Sequence, residues 1–219
     1  MSGVLALVGG GEFTPVCADL DRELLGFSAV DEVLVLPTAA AYEMPERLVA
    51  NASLHFEPLG ATVRGLMVLG RPDALELDVA AIVRASRFIY LAGGSPMHVR
   101  SVLKDTPVWE AIVAAWHDGA VVAGASAGAM VLSDPMVDPR GGAFTVGLAL
   151  VAPLAVVPRH EDWSHDRTRR TYELAPKGVP VLALHTGAAA VRSDDATWTA
   201  RGNVQVMVNG SEATLAALP

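Results

Sequence analysis

A chain of 219 residues with 52% hydrophobic and 18% charged side chains is long and apolar enough to bury a sizeable core, and one domain spanning residues 1–219 is its simplest division. A net charge of -8 argues against a nucleic-acid surface, because neutralising phosphates takes clustered Lys and Arg that are not seen here. Cys17 is the only cysteine, which excludes an internal disulfide and gives no sign of an oxidising compartment.

The chain opens on a short apolar run with no basic region before it and no small-residue cleavage pattern, so it predicts a first strand and not a signal peptide. No apolar stretch reaches the roughly 20 residues of a membrane-spanning helix. No contact with a membrane is expected, and the expected location is cytoplasmic.

Apolar, β-branched runs then recur at Val4–Val8, Glu32–Leu36, Thr62–Val68, Arg87–Leu91, Ala120–Ala123, Leu154–Val157 and Val179–Leu184. Continuous apolar strands suggest burial on both faces, as in a parallel sheet. Helical spacing fills the gaps at Pro15–Phe27, Pro45–Phe56, Ala74–Ala85, Pro107–His117 and Asp166–Leu174. Thr14-Pro15 and Thr106-Pro107 read as capping hydroxyls ahead of a first-turn proline. Strand and helix alternate, which predicts an α/β fold with a mostly parallel sheet flanked by helices. Residues 188–208 shift to Asp194-Asp195 and Gly202-Asn203 turns between short runs, the pattern of a small antiparallel hairpin at a sheet edge.

One junction carries chemistry. The strand at Ala120–Ala123 runs directly into Gly124-Ala125-Ser126-Ala127-Gly128 and a helix-compatible Ala129-Met130-Val131-Leu132, the pattern of a nucleophile elbow. Such a turn is tight enough to require small residues two before and two after the serine, and it lifts Ser126 to the carboxyl end of the sheet. The Ala127 amide, at the start of the following helix, is a candidate oxyanion donor. The second donor proposed is Gly94, because Gly93-Gly94 after the Arg87–Leu91 strand lets a backbone N–H approach a substrate closely.

Four stretches together resemble one family. They are Gly9-Gly10-Gly11-Glu12-Phe13, Leu36-Pro37-Thr38-Ala39, Ala92-Gly93-Gly94 and Ser126-Ala127-Gly128-Ala129. They are similar to the serine peptidases that include aspartyl dipeptidase (peptidase E) and cyanophycinase. The resemblance implies a flavodoxin-like, class I glutamine amidotransferase-like fold. It also implies a small peptide substrate cut beside an acidic residue, with a serine nucleophile, a histidine base and no metal or cofactor. The segment from Val157 to Trp163 resembles the one that carries the family's histidine, which puts His160 in the base position. Thr168-Arg169 is similar to a Thr-Arg pair of the dipeptidase branch. Two departures stand out: Ser95 follows the paired glycines where the family usually has Asn, and His185-Thr186-Gly187-Ala188 stands where many members carry an Asp-Glu-Gly-Thr-like stretch whose glutamate orients the histidine.

A serine nucleophile needs a base, and the base needs an orienting acceptor. His160 follows the Leu154–Val157 strand, and His185, after the next one, competes with it. Asp162, two residues beyond His160, is the first candidate for the acid, with Asp134 and Asp138 open. Arg169 is a candidate for a substrate carboxylate through its planar fork, against a solvated helix face. Trp163 either lines the pocket or covers the core. His55, His98, His117 and His165 show no metal-ligand spacing, so no metal site is expected. Two further readings stay open: an ester-cleaving hydrolase using Ser126 and His185, and a non-hydrolytic member of the fold that binds a ligand or partner. Oligomeric state is likewise open, although small α/β enzymes are often symmetric homodimers.

Overall fold

The computed structural model describes residues 2–140 and 142–219. In chain order the strands are β1 (Leu5–Val8), β2 (Glu32–Leu36), β3 (Thr62–Gly65), β4 (Phe88–Leu91), β5 (Val121–Ala125), β6 (Met136–Val137), β7 (Phe144–Thr145), β8 (Ala155–Pro158), β9 (Val181–Leu184), β10 (Ala189–Arg192), β11 (Trp198–Arg201), β12 (Val204–Val208) and β13 (Ser211–Ala213). The helices are α1 (Ala18–Ser28), α2 (Pro45–Phe56), α3 (Arg71–Leu75), α4 (Leu77–Ala85), α5 (Pro96–Leu103), α6 (Pro107–His117), α7 (Ala127–Leu132) and α8 (His165–Leu174). No helix among the described residues is long and apolar enough to cross a membrane.

Seven strands form the main sheet in the order β11-β10-β1-β5-β4-β2-β3. The five from β1 to β3 are parallel, and the β10–β11 hairpin pairs antiparallel on the β1 side. The period-two rule explains why these strands are apolar throughout. Leu5, Leu7, Leu34, Leu36, Ile89 and Leu91 point to the face covered by α4 to α7. Val4, Ala6, Val8, Val33, Val35, Phe88 and Tyr90 point to the face covered by α1 and α2.

The structure differs from the sequence expectation in four places. First, β8 and β9 leave the main sheet and form a second one, β13-β12-β9-β8, in which β8 and β9 are parallel and β12 pairs antiparallel with β9. Full burial of a strand reveals that both faces are covered, not which neighbour it pairs with. The expected hairpin region therefore serves two edges, β10–β11 on the main sheet and β12–β13 on the second. Second, Ala74–Ala85 is not one helix, because Glu76 is extended (φ -71°, ψ 121°) and separates α3 from α4. Third, α5 was not foreseen, although Ser95 caps it by accepting from the His98 amide and Pro96 begins it. Fourth, Thr106 caps α6 as expected, whereas the Thr14 hydroxyl donates to the Gly11 carbonyl (2.6 Å) and leaves a short 3-10 turn to lead into α1.

The two sheets meet where the site forms. Arg159 N–H, just past β8, donates to the Gly9 carbonyl (2.9 Å), and Gly187 N–H, past β9, donates to the Gly10 carbonyl (2.9 Å). Gly9 N–H in turn donates to the Ala188 carbonyl (2.8 Å). These bonds bring the carboxyl ends of β8 and β9 to the carboxyl end of β1, beside β5.

Candidate active site

Ser126 sits at the junction of β5 and α7 with φ 50° and ψ -109°, a conformation that a non-glycine residue rarely adopts. Strain of this kind costs about 1–3 kcal/mol and survives only where the surroundings fix it. Here they do: Ser126 N–H donates to the Val8 carbonyl (2.9 Å), and the Ser126 carbonyl accepts from Met130 N–H (3.0 Å). The flanking glycines are required by close approach. A Cβ on Gly124 would stand 2.7 Å from the Gly128 backbone, and one on Gly128 would overlap the Leu91 carbonyl. The result is a half-buried serine side chain facing a cleft of about 240 Å³. Larger hollows lie beside β2 and β3 (about 440 Å³) and between α1 and α2 (about 490 Å³), but neither contains a serine held in this way.

The cleft brings together Gly94, Ser126, Ala127, Arg159, Asp162 and Arg167, with Pro96, Met130, Pro139, Pro158 and Trp163 completing its wall. Gly94 has φ +136°, and a Cβ there would overlap the Ala39 carbonyl, so only glycine fits this turn. Its neighbour Gly93 donates its N–H to Glu12 Oε1 (2.8 Å), which ties the turn to the Gly9-Gly10-Gly11 loop.

His160 lies on the 3-10 turn His160–Asp162 that also carries Asp162. It is not part of the cleft wall. Its Nε2 is 3.2 Å from the Tyr172 hydroxyl, and its ring centroid is 6.0 Å from that of His185. Burial and the neighbouring His185 hold its pKa below the usual histidine value, against a smaller opposing effect of Glu161, so the ring is neutral at neutral pH. A neutral imidazole has the lone pair that a base requires.

The three carboxylates considered from sequence have other partners. Asp162 accepts from Arg159 Nε (2.8 Å) and pairs with its terminal nitrogen (2.7 Å). Asp138 accepts from the Arg140 guanidinium and amide, which hold it down at about 2. Asp134 accepts from Gly147 N–H (2.8 Å). None of them bonds to His160 or His185. The carboxylate that does stand near these rings is Glu161, which the sequence reading did not single out. Its Oε1 accepts from Thr186 N–H (2.8 Å), and its Oε2 lies 3.8 Å from His185 Nδ1. The only advance signal was adjacency to His160, since the sequence does not reveal that Thr186 comes to meet this side chain.

Arg169 lies outside the cleft, on the exposed side of α8, bonded to Glu173 and near Asp166. Arg167, two residues earlier, points into the cleft. Its guanidinium lies 3.4 Å above the Trp163 ring and donates to the Pro139 carbonyl, while its buried Nε has no partner among the described residues. Cys17 offers no reactive thiolate: burial above all, with Asp21 and Glu12 adding to it, pushes its thiol up to about 12.

A mostly parallel sheet with a strained serine at the carboxyl end of an inner strand fits a serine-type hydrolase built on an α/β fold. The chain matches the model of Peptidase family S51 over residues 5–198, and it belongs to that family of serine-type peptidases. It is 26% identical to the cyanophycinases of Trichormus variabilis and of a Nostoc species, each alignment covering 94% of this chain and 70% of the relative. Among solved structures it is similar to a peptidase from an acI-B1 Actinobacterium, with 27% identity, a TM-score of 0.86, and 97% and 93% of the two chains covered. A putative peptidase E protein from Listeria monocytogenes shares the fold at 19% identity, with a TM-score of 0.67 and 95% and 99% coverage.

Proposed function

We propose that this peptidase cleaves short peptides carrying an acidic residue, by way of an acyl-enzyme on Ser126. In this scheme Ser126 Oγ attacks the scissile carbonyl while His160 takes its proton. The oxyanion is met by the Gly94 and Ala127 amides, His160 returns the proton to the leaving amine, and water then releases the acyl group. Hydrogen bonds of catalytic histidines often tighten only when substrate is bound, and Arg159 and Asp162, on either side of His160 in sequence, already face the cleft beside Ser126.

The observation that supports the acidic preference is Arg167, whose guanidinium, stacked on Trp163, lines the cleft beside Ser126. A substrate carboxylate in the cleft pairs with that guanidinium. Arg159 is less available, since Asp162 fills its fork. Arg167 thereby takes the role that the sequence suggested for Arg169. The test is turnover of an aspartyl dipeptide and its asparaginyl analogue by wild type, Ser126→Ala and Arg167→Ala. The scheme expects no turnover from the first variant and loss of the acidic preference in the second. An active Ser126→Ala enzyme refutes it.

A second reading takes His185 as the base, because of the two imidazoles it is the one whose nitrogen lies 3.8 Å from a carboxylate oxygen. Glutamine replacements of His160 and His185 separate the two, since loss of the base costs far more turnover than loss of a neighbour.

A further inference from the structure

A histidine base draws two services from its surroundings: an acceptor that fixes the ring, and negative charge that balances the imidazolium. One carboxylate commonly supplies both. Around His160 they sit on different residues. Tyr172 on α8 reaches His160 Nε2 with its hydroxyl at 3.2 Å, the two ring centroids being 6.2 Å apart. Glu161 is held by the Thr186 amide at 2.8 Å, facing His185, whose ring lies against that of His160. The other carboxylate on this turn, Asp162, is engaged by Arg159.

We infer that the work of the orienting acid is divided in this chain: Tyr172 fixes the His160 ring by accepting its Nε2–H, and Glu161 balances the charge that forms when Nδ1 takes the Ser126 proton. The inference rests on His160 being the base. With Nε2–H donated to the Tyr172 oxygen, the lone pair of the neutral ring is on Nδ1. When Ser126 Oγ bonds to the substrate carbon, its proton moves to Nδ1, the ring becomes an imidazolium, and Nε2–H stays on Tyr172. A phenol orients but carries no charge, so the balancing anion must come from elsewhere.

The charged and titratable groups around His160 are Arg159, Glu161 and Asp162 on its own turn, Tyr172 on α8, and His185 on the loop after β9. Each of the two partners keeps the form this division needs. Burial pushes the Tyr172 hydroxyl up to about 12, so it stays neutral. Burial, the largest single influence, opposes ionisation of Glu161, but hydrogen bonds from Thr186 and from its own backbone, together with the charge of His185, hold the carboxyl below its usual range. Glu161 also acts on His160 in the required sense, raising its pKa against burial and His185.

The experiment is the pH profile of kcat and kcat/KM on an aspartyl dipeptide for wild type, Tyr172→Phe, Glu161→Gln and Glu161→Asp. Tyr172→Phe should lower kcat about tenfold, the worth of one neutral hydrogen bond, leave KM unmoved and move the acid limb slightly to lower pH, because a bond accepting Nε2–H favours the imidazolium over the neutral ring. Glu161→Gln should lower kcat by a similar factor and move the acid limb to lower pH, because removing the anion makes the imidazolium easier to deprotonate. Glu161→Asp, which keeps the charge, should leave the limb nearer its wild-type place. A merely structural role would lower kcat without moving the limb. Wild-type kcat in Tyr172→Phe, or an unmoved limb in Glu161→Gln, overturns the division. Full turnover in Ser126→Ala or in His160→Gln instead overturns the reading on which it rests.

Discussion

The elbow at Ser126 and the turn at His160 lie at the same rim of the molecule, yet they are specified in opposite ways. At the elbow, sterics between near neighbours in sequence decide almost everything: Gly124 and Gly128 meet each other and Leu91 at distances that leave no room for a side chain. At the His160 turn nothing local decides the chemistry. Its partners arrive from α8, from the loop after β9 and from the Gly9–Gly11 loop, and backbone bonds from Arg159 to Gly9 and from Gly187 to Gly10 hold them together. A reacting group in the first region is robust to changes elsewhere, whereas one in the second depends on the packing of a separate sheet.

The largest expected effect tests the elbow chemically. Ser126→Ala should reduce kcat by about 10⁴-fold or more while leaving the fold intact, since alanine adds no volume and removes only the hydroxyl. Gly128→Ala tests the elbow sterically. Its methyl overlaps the Leu91 carbonyl, so chemical denaturation should register a loss of about 3 kcal/mol, and an unchanged midpoint would show that the turn is looser than described.

The third test contrasts two arginines on one helix. Arg167→Ala should raise KM for an acidic dipeptide about tenfold, and Arg169→Ala should leave it within about twofold, because the second guanidinium is spent on Glu173 in solvent. The smallest effect is on pH dependence. As the proposed base, His160 must be neutral to accept a proton, and its pKa lies below the ordinary value near 6.5. Activity should therefore persist as pH falls through 6.5 and fail only below the depressed pKa. A kcat/KM profile that loses half its value above pH 6.5 would contradict this.

This contrast also explains what was legible in the sequence. Alternation of strands and helices, apolar strands covered on both faces, and the small-residue pattern around Ser126 are local consequences of geometry, and they placed the fold and the elbow. Pairing was not legible: β8 and β9 read as members of the main sheet because burial is the same in either sheet. Nor was the facing of α8. Residues two apart on a helix point nearly opposite ways, so the Arg167-Thr168-Arg169 run contains one cleft residue and one solvent residue, and its composition does not say which. Asp162 had a suggestive spacing to His160, but the nearer guanidinium of Arg159 took it. Glu161 gained its place from Thr186, a residue 25 positions away.

The most direct measurement of the central claim is intact mass after treatment with a fluorophosphonate, which modifies only an activated serine hydroxyl. The account predicts one adduct on the native protein and none on Ser126→Ala. An unlabelled native protein, or equal labelling of the variant, would contradict it.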